Sequence, residues 1–381
     1  MTLTKLAALF KKVIRILAIF VVAYYTWVFI IFPFGRGVVK MLFPPRNPPK
    51  PLYGKLEPLE FVEKPVEGTP KYILNTKDGK LPRGLPNKMT VYKFKPPQFS
   101  YEAGKTARKD AAFLGFSDSD LITDLKGTSY KWRSLKTAGI LEIYRDTKEI
   151  LLITNLVSNN LYLPKGYITK ADAIEDAKNL FRALGRFDDS LYPAGYSVAY
   201  LGRIQGNKIL ETQNPSEAQF AQVHLFRNIE NYKILGPDPR KGLLSATVGY
   251  LQKEASPLNY PTIEAYYWEI DATPEASYPI ISVEQAWNAV AQGKGVISNV
   301  TPKEFNPYEG YGSTRIDEIL INNIYLAYYE TPKQQTYMQP IYVFDGNFRS
   351  SGTQGGATTV YFPAVTGEWV NAVAIEAQSQ E

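Results

Sequence analysis

His224 is the only histidine among 381 residues, and cysteine does not occur. Together these facts remove most side-chain chemistry. A thiolate nucleophile, a disulfide, an iron–sulfur cluster and a two-histidine acid–base site within one chain are all excluded. The lone imidazole reads as a strand or loop side chain hydrogen-bonded locally. Carboxylates remain, and glycosidase-type work needs two of them facing each other. Glu264 and Glu269 have opposite parity on one expected strand and point to opposite faces, as do Asp317 and Glu318. Asp118-Ser119-Asp120 is too short for a calcium loop. The patterns G-x-S-x-G, H-E-x-x-H and G-x-x-x-x-G-K-[ST] do not occur. Gly352-Thr353-Gln354-Gly355-Gly356 joins two expected strands instead of opening a helix, so it reads as a hairpin loop. The expectation is a non-enzymatic chain with no catalytic, cofactor or metal residues, its ligand-binding residues undefined.

Aromatic side chains are the compositional surplus, with 27 tyrosines and five tryptophans. Tyr266 and Trp268 share a strand face, as do Tyr342 and Phe344, so such faces could stack on sugars or flank a peptide groove. The alternative is that tyrosines half-cover sheets, where aromatics are favoured anyway. Asn299-Val300-Thr301 is a glycosylation sequon. The 43 basic and 37 acidic residues are scattered, with no block of five or six like charges. The net charge of +6 therefore has no clustered footprint for nucleic acid.

Any such group is positioned by a chain that begins with an anchor. Ile16 to Gly35 carries no charged side chain. As a helix of roughly 20 residues it spans about 30 Å, a bilayer's hydrocarbon core. The expectation is a transmembrane helix over 16–35, with Pro33 and Gly35 at its exit. Leu6, Phe10, Val13 and Leu17 give the 1–15 segment a helical apolar spacing. Lys5, Lys11, Lys12 and Arg15 precede the run, and Arg36, Lys40, Arg46 and Lys50 follow it. The leading charges lie closer, which places the N-terminus in the cytoplasm and the rest extracytoplasmic, in a single-pass membrane protein. Prolines at 44, 45, 48, 49, 51, 58, 65 and 70 make 36–70 a proline-rich stalk.

Beyond the stalk the pattern of a short helix followed by strands occurs over 71–157, 158–260 and 261–381. The helices are expected at Glu102 to Leu114, after a Thr169 cap, and after the capping box Ser282-Val283-Glu284-Gln285. In the last, Val283, Ala286, Trp287, Val290 and Ala291 form the stripe expected to be buried. Ile263 to Ile270 is expected as one strand. The fold class is α+β, an N-terminal transmembrane helix followed by units of antiparallel sheet covered by short helices.

Ile281-Ser-Val-Glu-Gln-Ala-Trp-Asn-Ala-Val-Ala-Gln-Gly293, and more loosely Ile168 to Lys178, resemble the helix opening of PepSY-type domains. Ile324 to Glu330 and Met338 to Gly346 are similar to the strands that follow it. With the single span, the repeated units also resemble the YycH/YycI regulators, which restrain a membrane sensor kinase. The resemblance implies PepSY-like units and a regulatory role toward a protein partner in the cell envelope, a sensor or a protease. The motif is one of packing and carries no catalytic residue. The alternative expectation is a cell-wall glycan-binding protein acting through exposed aromatics.

Overall fold

The computed structural model describes residues 17, 20, 24–26, 48–98, 100–123, 128–134, 139–154, 166–206, 208–249, 260–310 and 312–371. Met1–Lys50 and Pro51–Glu381 form separate compact units. In the first, Leu17, Phe20, Tyr24 and Tyr25 are helical and exposed. Thr26 is helical and half-buried; the remainder of the expected span, and the 1–15 segment before it, lie outside the described residues. Among the described residues no helix is long and apolar enough to cross a membrane.

The second unit is mostly β, with few helices. It opens with β1 (Val66–Glu67), β2 (Lys71–Leu74) and β3 (Lys88–Phe94), followed by helix α1 (Ala103–Phe113). Next come β4 (Leu121–Thr123), β5 (Ser129–Arg133), β6 (Ile140–Tyr144) and β7 (Ile150–Ile153). Helix α2 (Lys170–Ala183) leads into β8 (Tyr196–Gln205), β9 (Lys208–Glu211), β10 (Phe220–Phe226), β11 (Asn228–Ile229) and β12 (Tyr232–Leu235). After β13 (Leu244–Gly249), β14 (Ile263–Ala265) and β15 (Ile270–Pro279) comes helix α3 (Val283–Ala291). The chain closes with β16 (Val296–Pro302), β17 (Thr314–Arg315), β18 (Glu318–Tyr329), β19 (Tyr337–Ser350) and β20 (Thr353–Pro363).

One antiparallel sheet runs β4-β5-β6-β7-β14-β13-β10-β8-β9. A second runs β11-β12-β18-β19-β20-β16, with β3 pairing both β15 and β19. Both β2 and β12 lie parallel to β18, at its two ends: Lys71–Leu74 against Glu318–Ile321, and Ile234-Leu235 against Tyr328-Tyr329. Strands from the three expected units are thus interleaved. Strands β2 and β3, at 71–74 and 88–94, pair with residues of 270–279, 318–321 and 337–338, and residues 263–265 pair with 150–152 and 244–246. The expected strand Ile263 to Ile270 divides into β14 and β15, with 266–269 crossing from one sheet to the other. Alternation along a strand fixes which side chains face a core but not which strand lies beside it.

Each helix covers a sheet by its apolar stripe. Ala107 and Ala111 of α1, with Ala173, Ala177, Leu180 and Phe181 of α2, share a core with Trp132, Leu141, Leu152 and Val223 of the first sheet. Val283, Ala286 and Val290 of α3 share another with Phe344 and Val360 of the second. The caps form where the sequence puts them: Thr169 Oγ1 accepts from Asp172 N at 3.2 Å, and Ser282 and Gln285 make a reciprocal capping box. Two residues expected to be buried are not: Ala291 is exposed at the end of α3, and Trp287 is only half-buried, packing against Phe344 with 6.3 Å between ring centroids.

The proline-rich segment is bound to the body from Pro51 onward. Leu56 is fully buried, and its backbone donates to Trp369 O and accepts from Asn371 N. Tyr329 Oη donates to Glu60 O at 3.1 Å, Gln339 Nε2 to Glu57 O at 2.7 Å, and Lys64 N to Ile297 O at 2.8 Å. Phe61 meets the Tyr329 ring edge-on at 4.9 Å. Of the expected stalk, only residues up to Lys50 fall outside this unit.

Arg227 stands where the chain leaves β10 for the second sheet, and Glu330 follows β18 within that sheet, at 2% and 4% exposure. Arg227 donates to Glu330 Oε2 through Nε at 3.2 Å and also through Nη2. Its Nη1 donates to Trp268 O at 2.9 Å, while Trp268 Nε1 donates to Thr331 O at 2.6 Å. Removing one partner strands a buried charge. Glu330→Gln or Arg227→Met should each lower the stability of the full chain by about 3–5 kcal/mol in urea unfolding. Arg227→Met combined with Glu330→Leu should recover most of that loss; single variants as stable as the parent would show that the pair is not needed to hold the sheets.

Candidate functional site

Beside this crossing lies a cleft of about 610 Å³. Two connectors form one wall: Lys95 to Gln98, leading from β3 to α1, and Tyr267 to Glu269, leading from β14 to β15. Pro96-Pro97 keeps the first extended. The two are joined by Lys95 N donating to Glu269 O at 2.8 Å and by the Lys95–Glu269 ion pair. The Thr106, Ala107 and Asp110 face of α1 and the Tyr144 to Lys148 turn between β6 and β7 complete the lining.

Arg186 also lines the cleft, at 5% exposure. A left-handed Gly185 (φ +64°) ends α2, with Arg186 N donating back to Phe181 O at 2.8 Å. This glycine C-terminus turns the arginine away from the helix axis and in beneath α1. Its Nε donates to Lys148 O at 2.8 Å, Nη1 to Leu184 O at 2.6 Å and Nη2 to Asp110 Oδ2 at 3.4 Å. Burial pushes the Asp110 carboxyl above its usual range, with Arg186 and Lys109 pulling the other way. Burial likewise lowers Arg186, and Asp110 restores part of it.

Lys148 has φ +58°, the left-handed region that a β carbon disfavours. The turn keeps it there through Lys148 N donating to Tyr144 O at 3.1 Å and Tyr144 N donating to Glu149 O at 3.0 Å. Arg186 buttresses the Lys148 carbonyl. Next to it, Arg145 and Asp146 form a bidentate pair with both bonds at 2.6 Å. Strain of this kind concentrates where a surface has a task.

The residues singled out by type are not brought together. Glu269 stands at the cleft rim with Lys95, whereas Glu264 is exposed on β14. Asp317 accepts from Arg315 Nε at 3.1 Å and Ser351 N at 2.6 Å, and Glu318 pairs with Arg349 at 3.3 Å. Ser351 and Gly352 make the turn of the β19–β20 hairpin. Asn299 of the sequon is buried in β16 and accepts from Thr301 Oγ1. Trp268, Tyr342 and Phe344 are buried, and Tyr266 is half-buried, so the paired aromatic faces serve the core. Among the described residues no group of three acidic or histidine side chains could hold a metal ion. The sequence offers one signal for Arg186, the Gly-Arg step that ends the α2 stripe.

His224 lies on the first sheet's face away from α2, outside the cleft. It is 3% exposed, and its ring meets Tyr200 edge-on at 6.0 Å. The segment before β17 covers this face: Tyr308 Oη donates to Tyr200 O at 2.5 Å and Asn306 Nδ2 to Ile209 O at 2.8 Å. The local hydrogen bond expected from sequence is absent at Nδ1, which has no partner among the described residues. Burial pushes the imidazole down to about 4, with Lys241 and Arg240 adding to it and Asp238 opposing. An unfolded histidine titrates near 6.5. Above that pH both states are neutral; below it the unfolded chain takes up a proton that the folded chain refuses until about pH 4. Relative to His224→Gln, the parent should lose about 3 kcal/mol of stability between pH 6.5 and 4, read by urea unfolding across that range. Parallel pH profiles for the two would show that the imidazole is not held neutral.

No family model matches this chain, and no curated protein matches it. Among solved structures it is similar to the crystal structure of an uncharacterized protein from Eubacterium rectale. That match has 13% identity and a TM-score of 0.42, over 74% of this chain and 85% of that one.

Proposed function

We infer that the chain is a membrane-tethered, extracytoplasmic binding protein of the cell envelope that regulates a protein partner and has no catalysis of its own. The observation that carries this reading is the cleft. Its lining combines Pro96, Pro97 and Tyr267 with a turn rich in charge, and its acids are tied to bases as Lys95–Glu269, Arg145–Asp146 and Arg186–Asp110. Such a lining suits contact with a polypeptide. Aromatic and arginine side chains are the groups that anchor protein interfaces.

The uncharged run over 16–35 supplies the tether. The body binds its own proline-rich segment from Pro51 onward. Helix α3 over the antiparallel β16, β20, β19 and β18 supports a PepSY-like reading of that part. In the competing glycan-binding reading, the aromatic platform would be Tyr53 and Tyr337, stacked at 4.8 Å and half-exposed.

Absence of cysteine makes the test direct. Gln98→Cys places one thiol at the exposed cleft rim, and Lys208→Cys places one on β9 as a control. A membrane-impermeant maleimide should label both on intact cells; labelling only after lysis would overturn the orientation. With a benzophenone maleimide, Gln98→Cys should photo-cross-link a discrete protein species and Lys208→Cys should not. Co-sedimentation of the full chain with isolated cell wall, without a cleft-specific protein adduct, would favour the glycan reading.

A further inference from the structure

The Arg186 guanidinium carries five N–H donors. Among the described residues one each from Nε, Nη1 and Nη2 is used, on Lys148 O, Leu184 O and Asp110 Oδ2. That leaves two N–H, one on each terminal nitrogen, without an acceptor among the described residues, on a side chain that is 5% exposed and lines the cleft. Buried donors are nearly always bonded, so such a pair marks where an acceptor from outside the chain belongs. Asp110 contributes one contact, and at 3.4 Å it lies at the long end of hydrogen bonding.

Charge around the cleft points the same way. Lys95 is matched by Glu269, and Arg145 by Asp146. Lys148 remains, exposed and without an ion-pair partner among the described residues, on a turn whose left-handed backbone is buttressed by Arg186 itself. The lining therefore carries one positive charge in excess.

We propose that the cleft binds a carboxylate-bearing stretch of polypeptide: the carboxylate takes the two unused N–H of Arg186, and Lys148 completes its neutralisation at the rim. This rests on the reading that the partner is a protein, and names the chemistry by which that partner is held. A planar carboxylate fits two donors on one guanidinium. Pro96, Pro97 and Tyr144 supply apolar surface beside it. A dianionic group such as phosphate would stand against Asp110 on the same arginine, which favours the singly charged carboxylate. The volume lies within the range of ligand sites.

The test uses the full chain in detergent and fluorescein-labelled pentapeptides of glutamate, glutamine and lysine, read by anisotropy. Penta-glutamate should bind about tenfold or more tighter than penta-glutamine. Arg186→Lys should remove that preference. Because a buried substitution can disturb folding, the exposed Lys148→Glu serves as the second variant. It should weaken penta-glutamate binding about fivefold or more with an unchanged melting temperature. Equal binding of glutamate and glutamine peptides, or indifference to Lys148→Glu, would overturn the proposal. Preference for penta-lysine would overturn the carboxylate assignment while leaving a protein partner in place. An oligogalacturonate that displaces penta-glutamate as well as unlabelled penta-glutamate does would overturn the polypeptide part. A missing cleft adduct in cells would instead count against the protein-partner reading, even if penta-glutamate binds.

Discussion

Everything distinctive about this fold passes through the contact of Arg227 with Glu330. Strands of the two sheets alternate along the chain, so the backbone must leave one sheet and enter the other between β3 and α1, β10 and β11, β12 and β13, and β14 and β15. At a crossing the backbone has no neighbouring strand, and its polar groups need other partners. Arg227 meets that need by holding both the Glu330 carboxylate and the Trp268 carbonyl, while the Trp268 indole holds Thr331. Burial works against the Arg227 charge, and Glu330 outweighs it, leaving the guanidinium more firmly protonated than usual. Close approach of the flanking chain is needed as well: a β carbon on Gly242 would fall 2.2 Å from Leu225 O.

The cleft follows from that constraint. Connectors 95–98 and 267–269 run side by side because both lead between the same two sheets, and they close a space against α1 and the β6–β7 turn. Tyr267 lies within electrostatic reach of both Arg186 and Arg227, so the cleft and the crossing share one buried polar region. Arg186–Asp110 and Arg227–Glu330 are buried pairs held within it, unlike exposed pairs such as Lys333–Glu60, which solvent screens.

Local structure was legible because local rules govern it. The three helices and the Thr169 and Ser282 caps stand where spacing and capping residues put them. Sheet order was not legible, because the apolar residues of Lys71–Leu74 are satisfied equally by any strand with a complementary face. Its partner proves to lie at 318–321. Prolines read as a stalk because they forbid helix and donate nothing. Leu56 and Phe61 among them are the apolar residues that bind the segment down. The aromatic surplus went mostly into cores, where Tyr328, Tyr329, Tyr342 and Tyr361 are almost wholly buried and bond by their hydroxyls to backbone carbonyls. Arg186 escaped notice because a buried arginine looks, in sequence, like any surface arginine after a helix.

The Leu56 contact with Trp369 and Asn371 has a further consequence, for the order in which the protein can be made. A chain emerging from the ribosome N-terminus first presents residues 51–94 long before their partners at 270–371 exist. The β4–β7 meander and α1 can assemble early from neighbouring sequence, since their pairings are short-range. The second sheet cannot. Its oldest strands must wait, unpaired and with open edges, until the youngest arrive, so its closure is slow and comes last. Quality control during synthesis therefore has its longest task at the N-terminal strands, and any nascent chain released before β20 would expose the surface that the finished protein hides best.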